Sequence, residues 1–318
     1  MSQKIWVLGD AVVDLIPDGE NHYLRCAGGA PANVAVGIAR LGGESAFIGR
    51  VGKDPLGEFM QQTLQQENVQ TSHMILDPQQ RTSTVVVGLD NGERSFTFMV
   101  NPSADQFLQV ADLPNFQANE WLHCCSIALI NNPSRETTFE AIRRIKAAGG
   151  FFSFDPNLRE SLWSSFEDMK ETVMKAVAFA DVLKFSEEEL TLLTDTQTLD
   201  EAFEKITALY PEKLIIVTLG KDGARYHLAG KKDIVAGKAL KPVDTTGAGD
   251  AFVGGLLAGL SQHANWKEIS VLEQIIRQAN AYGALATTAK GAMSALPNKM
   301  QLADFLVNSF FNSIRLYC

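Results

Sequence analysis

Residues Trp121 to Phe154 read WLHCCSIALINNPSRETTFEAIRRIKAAGGFFSF. Two short apolar runs, Trp121 to Ile127 and Phe151 to Phe154, flank a segment, Ser134 to Ala148, in which Phe139, Ile142 and Ile145 recur at helical spacing. Strand, helix, strand is the unit of a parallel sheet, because parallel neighbours need a long connection and a crossover helix supplies it. The rhythm extends outward through the apolar runs Ile5 to Leu8, Ala46 to Ile48, Val182 to Phe185 and Leu214 to Leu219. The expected fold is α/β, a three-layer αβα sandwich with a mainly parallel central sheet covered by helices on both faces.

One region departs from this rhythm. Residues 82–100, TSTVVVGLDNGERSFTFMV, hold two strand-like runs around Asp90, Asn91 and Gly92, a hairpin signal because Asn-Gly tolerates positive φ. With strand-like residues around Tyr23 to Cys26, it is expected to form a small β lid over a site at the carboxyl ends of the parallel strands. Residues 13–30 and 81–104 are assigned to the lid, and 1–12, 31–80 and 105–318 to the α/β body. The last stretch, FLVNSFFNSIRLYC, is read as a short amphipathic helix packed on that body.

Composition narrows the partners. Hydrophobic residues make up 46% and charged residues 20% of the 318, the balance of an ordinary globular protein. With 28 Lys and Arg against 37 Asp and Glu, the net charge of -9 repels a nucleic-acid backbone. A small anion can still bind locally at a helix N-terminus. The start, MSQKIWVLGD, lacks the pattern of a signal peptide, and apolar stretches such as Ala251 to Leu260 are far shorter than the roughly 20 residues of a membrane helix. A cytoplasmic protein with no membrane partner is therefore expected. Cys26, Cys124, Cys125 and Cys318 show no metal-ligand spacing and read as reduced thiols.

The chemistry concentrates in Lys241 to Leu257, KPVDTTGAGDAFVGGLL. Thr245 to Gly249 are small, and the run beyond them reads as a buried helix. Gly247, Ala248 and Gly249 would then offer backbone N–H groups to a phosphate at a helix N-terminus. Asp250 follows directly. It can serve as a capping carboxylate or, beside an anion hole, as the base that takes a proton from an attacking hydroxyl. No G-x-x-x-x-G-K-[ST] or G-x-G-x-x-G fingerprint is present.

GGAPANVAVGIARLGGESAFIGRVGKDPLG (Gly28 to Gly57) and DTTGAGDAFVGGLL (Asp244 to Leu257) resemble the two signatures of the ribokinase-like, or PfkB, family of carbohydrate kinases. The resemblance runs on through FDPNLRESLW (Phe154 to Trp163), VTLGKDGA (Val217 to Ala224) and NAYGALATTAKGA (Asn280 to Ala292). It implies a ribokinase-like fold and ATP-dependent phosphorylation of a sugar hydroxyl. Asp250 then matches the catalytic base, Gly247, Ala248 and Gly249 the anion hole, and Arg159 a cation near sugar and phosphate. Asp14, Gly28, Gly29 and Asn33 match sugar contacts, although a turn aspartate and a helix cap are the plain readings of Asp14 and Asn33. Arg94 on the hairpin is placed near the sugar from the lid side.

For the nucleotide, the resemblance implies Thr218, Gly220, Gly223, Asn280 and Gly283 as pocket walls, with Lys184 and Glu189 in the same set. Relatives carry Asn-x-x-Glu where this chain has Ser186 to Glu189, a departure that bears on how Mg²⁺ is handled. A K⁺ site is implied at Asp244, Thr246, Ala286, Ala289 and Gly291. Together the motifs are most similar to bacterial fructokinases and imply D-fructose as acceptor, with aminoimidazole riboside the leading alternative. A sugar sensor that keeps the pocket without turnover is the rival class. A homodimer formed through the lid is a further expectation.

Overall fold

The computed structural model describes residues 2–19, 21–90, 93–238 and 240–315, with side chains at 89, 90, 93, 94, 96 and 308–315 set aside. In chain order the first strands are β1 (Ile5–Leu8), β2 (Val12–Pro17), β3 (Tyr23–Gly28), β4 (Ser45–Gly52), β5 (Gln70–Asp77), β6 (Thr84–Asp90) and β7 (Glu93–Met99). There follow β8 (Trp121–Cys125), β9 (Phe151–Asp155), β10 (Val182–Ser186), β11 (Leu214–Thr218), β12 (Gly223–Leu228) and β13 (Lys231–Ala236). The helices are α1 (Ala30–Arg40), α2 (Pro55–Gln66), α3 (Ser134–Ala147), α4 (Phe166–Phe179), α5 (Glu187–Thr194), α6 (Leu199–Leu209), α7 (Ala248–Gln262), α8 (Ile269–Ala286) and α9 (Lys299–Arg315).

Among the described residues the main sheet has nine strands in the order β13-β12-β11-β10-β9-β8-β1-β4-β5. All pairs from β11 across to β5 are parallel, and only β11–β12 and β12–β13 are antiparallel. The chain leaves β1 toward β4 and β5 and later returns to β8 on the other side. That reversal opens a crevice at the carboxyl ends of β1 and β8, where open α/β sheets bind ligands.

Both faces of the sheet's central strands are buried, which explains their near-continuous apolar sequences. Along β1, Ile5 and Val7 join a core shared with α1, α7 and α8, while Trp6 and Leu8 join a second core beneath α3, α4, α5 and α6. Successive strand side chains point to opposite faces, so one strand feeds both layers. Glycines bring the helices of the first layer together: a Cβ on Gly254 would lie 3.3 Å from Gly37 Cα, and one on Gly255 would lie 3.2 Å from Ala279 Cα. Helix α7 therefore runs buried from Ala251 to Ser261, with its N-terminus opening at the crevice.

The hairpin β6–β7 joins β2 and β3 in a separate four-stranded sheet, β3-β2-β6-β7. Its turn residues Asn91 and Gly92, like Cys318 of the tail, lie outside the described residues. The helix expected near the C-terminus is α9, whose Leu302, Phe305 and Leu306 pack on the first core. Among the described residues no helix is long and apolar enough to cross a membrane.

Candidate active site

The carboxyl ends of the parallel strands converge on a cleft of about 580 Å³. Asp10 just beyond β1, Cys125 of β8, Asp155 of β9 and Lys184 of β10 form its floor, while Asp14, Val85 and Phe98 reach it from the second sheet. The hairpin is thus a wall of the site. A second pocket, of about 370 Å³, lies beyond β11 and is lined by Thr218, Gly220, Gly223, Phe252, Asn280 and Gly283, among others. The two cavities share Thr245, Ala248 and Gly249. They meet at the first turn of α7.

Gly247 is the N-cap of α7, at φ 76°, and makes no side-chain cap bond. A Cβ there would stand 2.7 Å from Ala292 Cβ, so both the left-handed backbone and the close approach require glycine. The Ala248 N–H donates to Thr245 O at 3.2 Å, closing the turn before the helix. The first-turn N–H groups beyond it have no acceptor within the helix and carry the positive end of its dipole.

Asp250 is therefore the third residue of α7, not its cap. Its Oδ2 accepts a 2.8 Å hydrogen bond from Asn33 Nδ2. Asn33 is not a cap either: α1 begins at Ala30 behind Gly29, and Asn33 is buried one turn in with its Oδ1 unpartnered. Burial raises the Asp250 carboxyl above the ordinary range, against the opposing pull of the Asn33 bond and the charges of Lys184 and Arg159.

Asp14 lies within β2, and burial lifts its carboxyl to about 6. Gly28 stands behind it rather than in the cleft; a Cβ there would sit 2.6 Å from Asp14 Oδ2. Asp10, which the sequence reading did not single out, is 4% exposed, lines the cleft and leaves Oδ1 unpartnered. Burial, then the charge of Asp105, pushes it up to about 7. A carboxyl that is easier to protonate folded than unfolded favours folding below the unfolded value of 3.8, and that contribution is lost as pH rises through about 7. Asp10→Asn should therefore gain stability over wild type by roughly 1.4 kcal/mol per pH unit between about pH 4 and 7. Urea midpoints across that range measure it, and a constant difference would refute it.

A model described as "pfkB family carbohydrate kinase" matches residues 2–299. The chain belongs to the PfkB family of carbohydrate kinases. A fructokinase of Vibrio alginolyticus is 58% identical over 304 residues, covering 95% of this chain and 99% of that protein. A double-mutant fructokinase of Vibrio cholerae, solved in a fructose-, ADP- and potassium-bound form, superposes with a TM-score of 0.91 at 59% identity, over 96% of this chain and 98% of that one. The aminoimidazole riboside kinase of Salmonella enterica, complexed with aminoimidazole riboside and an ATP analogue, gives 0.89 at 42% identity, over 96% and 100%.

In this PfkB kinase the remaining expected residues are distributed unevenly between the two cavities and their surroundings. Arg159 is exposed at the cleft rim and Lys184 reaches its floor, so the lysine stands on the larger cleft's side of the shared turn and not in the second pocket. Thr218, Gly220, Gly223, Asn280 and Gly283 all line the second pocket. The Asn280 amide, however, donates to Val235 O at 2.9 Å and ties α8 to β13. Arg94 lies on β7, and its side chain is outside the described residues.

Glu189 lines neither cavity. With Ser186 it forms a capping box: Ser186 Oγ accepts from Glu189 N, and Glu189 Oε2 accepts from Ser186 N. Its Oε1 accepts from Leu158 N at 2.9 Å and so braces the loop that carries Arg159. The replacement of Asn by Ser thus keeps a helix start that also holds a site loop. Asp244 accepts from Thr246 N, Thr246 Oγ1 and Gly291 N, and lashes the 244–246 turn to the loop after α8. Ala286 is buried at the end of α8, and Ala289 faces a separate groove beside Arg40.

Proposed function

We propose that this kinase transfers the terminal phosphoryl group of ATP to the 6-hydroxyl of D-fructose, with the sugar in the larger cleft and the nucleotide in the pocket beyond β11. The observation that carries the reading is the meeting of the two cavities at the first turn of α7, with Asp250 on the sugar side. A hydroxyl held against Asp250 gives up its proton to the carboxylate as its oxygen attacks the γ-phosphorus. The α7 N-terminus, Lys184 and Arg159 offset charge on the transferring group. The protonated Asp250 then releases its proton to solvent after ADP leaves.

The choice of fructose rests on the fructokinases at 58% and 59% identity and on the fructose present in one of them. ADP formation should be fastest with fructose; a higher kcat/KM with aminoimidazole riboside or ribose would overturn this choice, and no ADP with any sugar would favour a sensor. Asp14 and Asn33 bind sugar hydroxyls in this scheme, since a carboxylate accepts from two donors and an amide both donates and accepts. Asp14→Ala should raise KM for fructose at least tenfold and KM for ATP less than threefold. Equal changes in both would count against its placement.

Magnesium would be carried chiefly by the β- and γ-phosphates, where it neutralises charge. That fits the donor set, because among the described residues no group of three or more His, Cys, Asp or Glu is arranged to hold a metal ion. For K⁺, the Asp244 carboxylate and the Val243 and Asp244 N–H groups, both bonded to Thr287 O, hold two loops side by side. The oxygens such loops can turn toward a cation are backbone carbonyls, the hard ligands that an alkali ion takes. Replacing K⁺ by Na⁺ should lower kcat, and identical rates would remove the ion from the scheme.

Residues 13–30 and 81–104 act as the lid and the rest as the body. The lid's edge strands expose Tyr23, Leu24 and Met99, an apolar border suited to pairing with a second copy. The protein works in the cytoplasm as this dimer, and its size in solution tests that.

A further inference from the structure

We propose that Asp155 is a positioning residue for phosphoryl transfer: from the floor of the cleft it holds the Lys184 ammonium, charged, against the first turn of α7 where the transferred phosphate must pass. The proposal rests on the assignment of Lys184 to the phosphate in the preceding section. Asp155 itself touches neither sugar nor nucleotide in this scheme.

The two residues sit at the ends of neighbouring parallel strands. Val182 pairs with Ser153 and Leu183 with Phe154, so the next step in register sets Lys184 beside Asp155. Lys184 Nζ donates to both carboxylate oxygens, at 3.2 and 3.1 Å. The side chains are only 10% and 3% exposed. An ammonium has three donors, and this pairing leaves one to turn toward the cleft that Lys184 lines. Gly249 lies on that side: a Cβ there would stand 3.5 Å from Lys184 Nζ. Glycine at 249 thus leaves the ammonium access to the helix start.

Stability alone is a weak reason for such a pair. Removing two charges from water is expensive, and well-packed apolar residues of similar volume often serve as well or better. The electrostatics instead keep one cation charged in a place that works against it. Burial and the positive end of α7 both oppose the ammonium, yet the charge of Asp155, then of Glu189, holds it above the ordinary lysine range. Burial also pushes Asp155 up, to about 7, which favours its neutral form, and contact of both its oxygens with the Lys184 ammonium opposes that shift. The other titratable groups facing the pair are Asp250 on α7, Glu189 on α5, and His123 and Cys125 on β8. His123 is held neutral, at about 3, by burial and by Lys184 itself. Cys125 is pushed up by burial and neighbouring carboxylates and stays a thiol.

The test compares Asp155→Asn, Lys184→Met and the double variant by calorimetric titration with ATP in the absence of sugar. Lys184→Met should weaken ATP binding about tenfold, Asp155→Asn by a similar factor, and the double variant no more than Lys184→Met alone. In Asp155→Asn the loss should deepen as pH rises from 7 to 9.5, because a lysine without its counter-ion deprotonates; wild-type affinity should stay flat. A purely structural role would weaken binding equally at every pH. If Asp155→Asn does not fold, the double variant against Lys184→Met still decides, since it buries no unpaired charge. A double variant more than threefold weaker than Lys184→Met, or a pH-independent Asp155→Asn, overturns the proposal. No effect of Lys184→Met would instead remove the phosphate assignment on which it stands.

Discussion

Asp250→Asn should lower kcat by about 10²–10⁴-fold while the fold and the affinity for ATP stay close to wild type. The substitution keeps the shape of the side chain and can still accept the hydrogen bond from Asn33 on its carbonyl oxygen. What it loses is the capacity to receive a proton. The α7 turn, Lys184 and Arg159 are untouched, so the charge stabilisation proposed for them survives. The pH dependence separates this from general damage. The Asp250 carboxyl is raised above the ordinary range by burial, and only its ionised form can accept the proton, so wild-type kcat/KM should fall as pH drops through that raised value. Asp14, at about 6, and Asp10, at about 7, line the same cleft and titrate across the same range. The residual kcat of Asp250→Asn, measured at saturating sugar, should not show that fall. A kcat within threefold of wild type would remove Asp250 from the role of base.

Much of this arrangement is legible in the sequence, and what is not has identifiable causes. The buried parallel strands announce themselves as short apolar runs because both of their faces are covered, and all six expected runs are strands. The sheet's margins do not. β13 reads KKDIVA and is largely exposed, and β5 begins with Gln70, Thr71 and Ser72, so neither shows the apolar signal of a central strand. The residues alone admit a cap as well as a base at Asp250; the helix start at Ala248 puts Gly247 in the capping position. Asn33 changed meaning for the same reason: with Pro31 in its first turn, α1 begins early enough to leave Asn33 inside the helix.

The pairings that make the site electrostatically specific are those the sequence could not carry. Asn33 and Asp250 are 217 residues apart, and Asp155 and Lys184 are joined only through the register of β9 and β10. Asp10 gave no signal because a lone aspartate after a strand has the composition of any turn. Only the sheet reversal between β4 and β8 shows that this turn opens onto the cleft. The Asn-x-x-Glu departure ran the other way, since Ser-x-x-Glu is a capping signature and could have been read as one from the residues alone.

Gly247→Ala should lower kcat by about 10²-fold, the size of effect seen when one donor to a developing oxyanion is lost. Two physical causes add at this position. An alanine at φ 76° carries roughly 1–2 kcal/mol of left-handed strain. Its Cβ would also sit 2.7 Å from Ala292 Cβ and 3.0 Å from Ala292 Cα, closer than such atoms approach. Ala292 cannot simply retreat, because its neighbour Gly291 is bound through its N–H to Asp244 Oδ2 at 3.0 Å, and Asp244 also holds Thr246. The start of α7 is the part left to move, and it carries the donors. Gly42→Ala separates the two causes: Gly42 has φ 80° with no atom within 4 Å of an added Cβ, and it lines neither cavity. That variant should lose a similar increment of stability from strain alone and keep wild-type kcat. Equal kcat in the two variants would mean that the position of the α7 turn does not govern the rate. The phosphate would then have to be stabilised elsewhere in the cleft, with Lys184 and Arg159 as the cations there to do it.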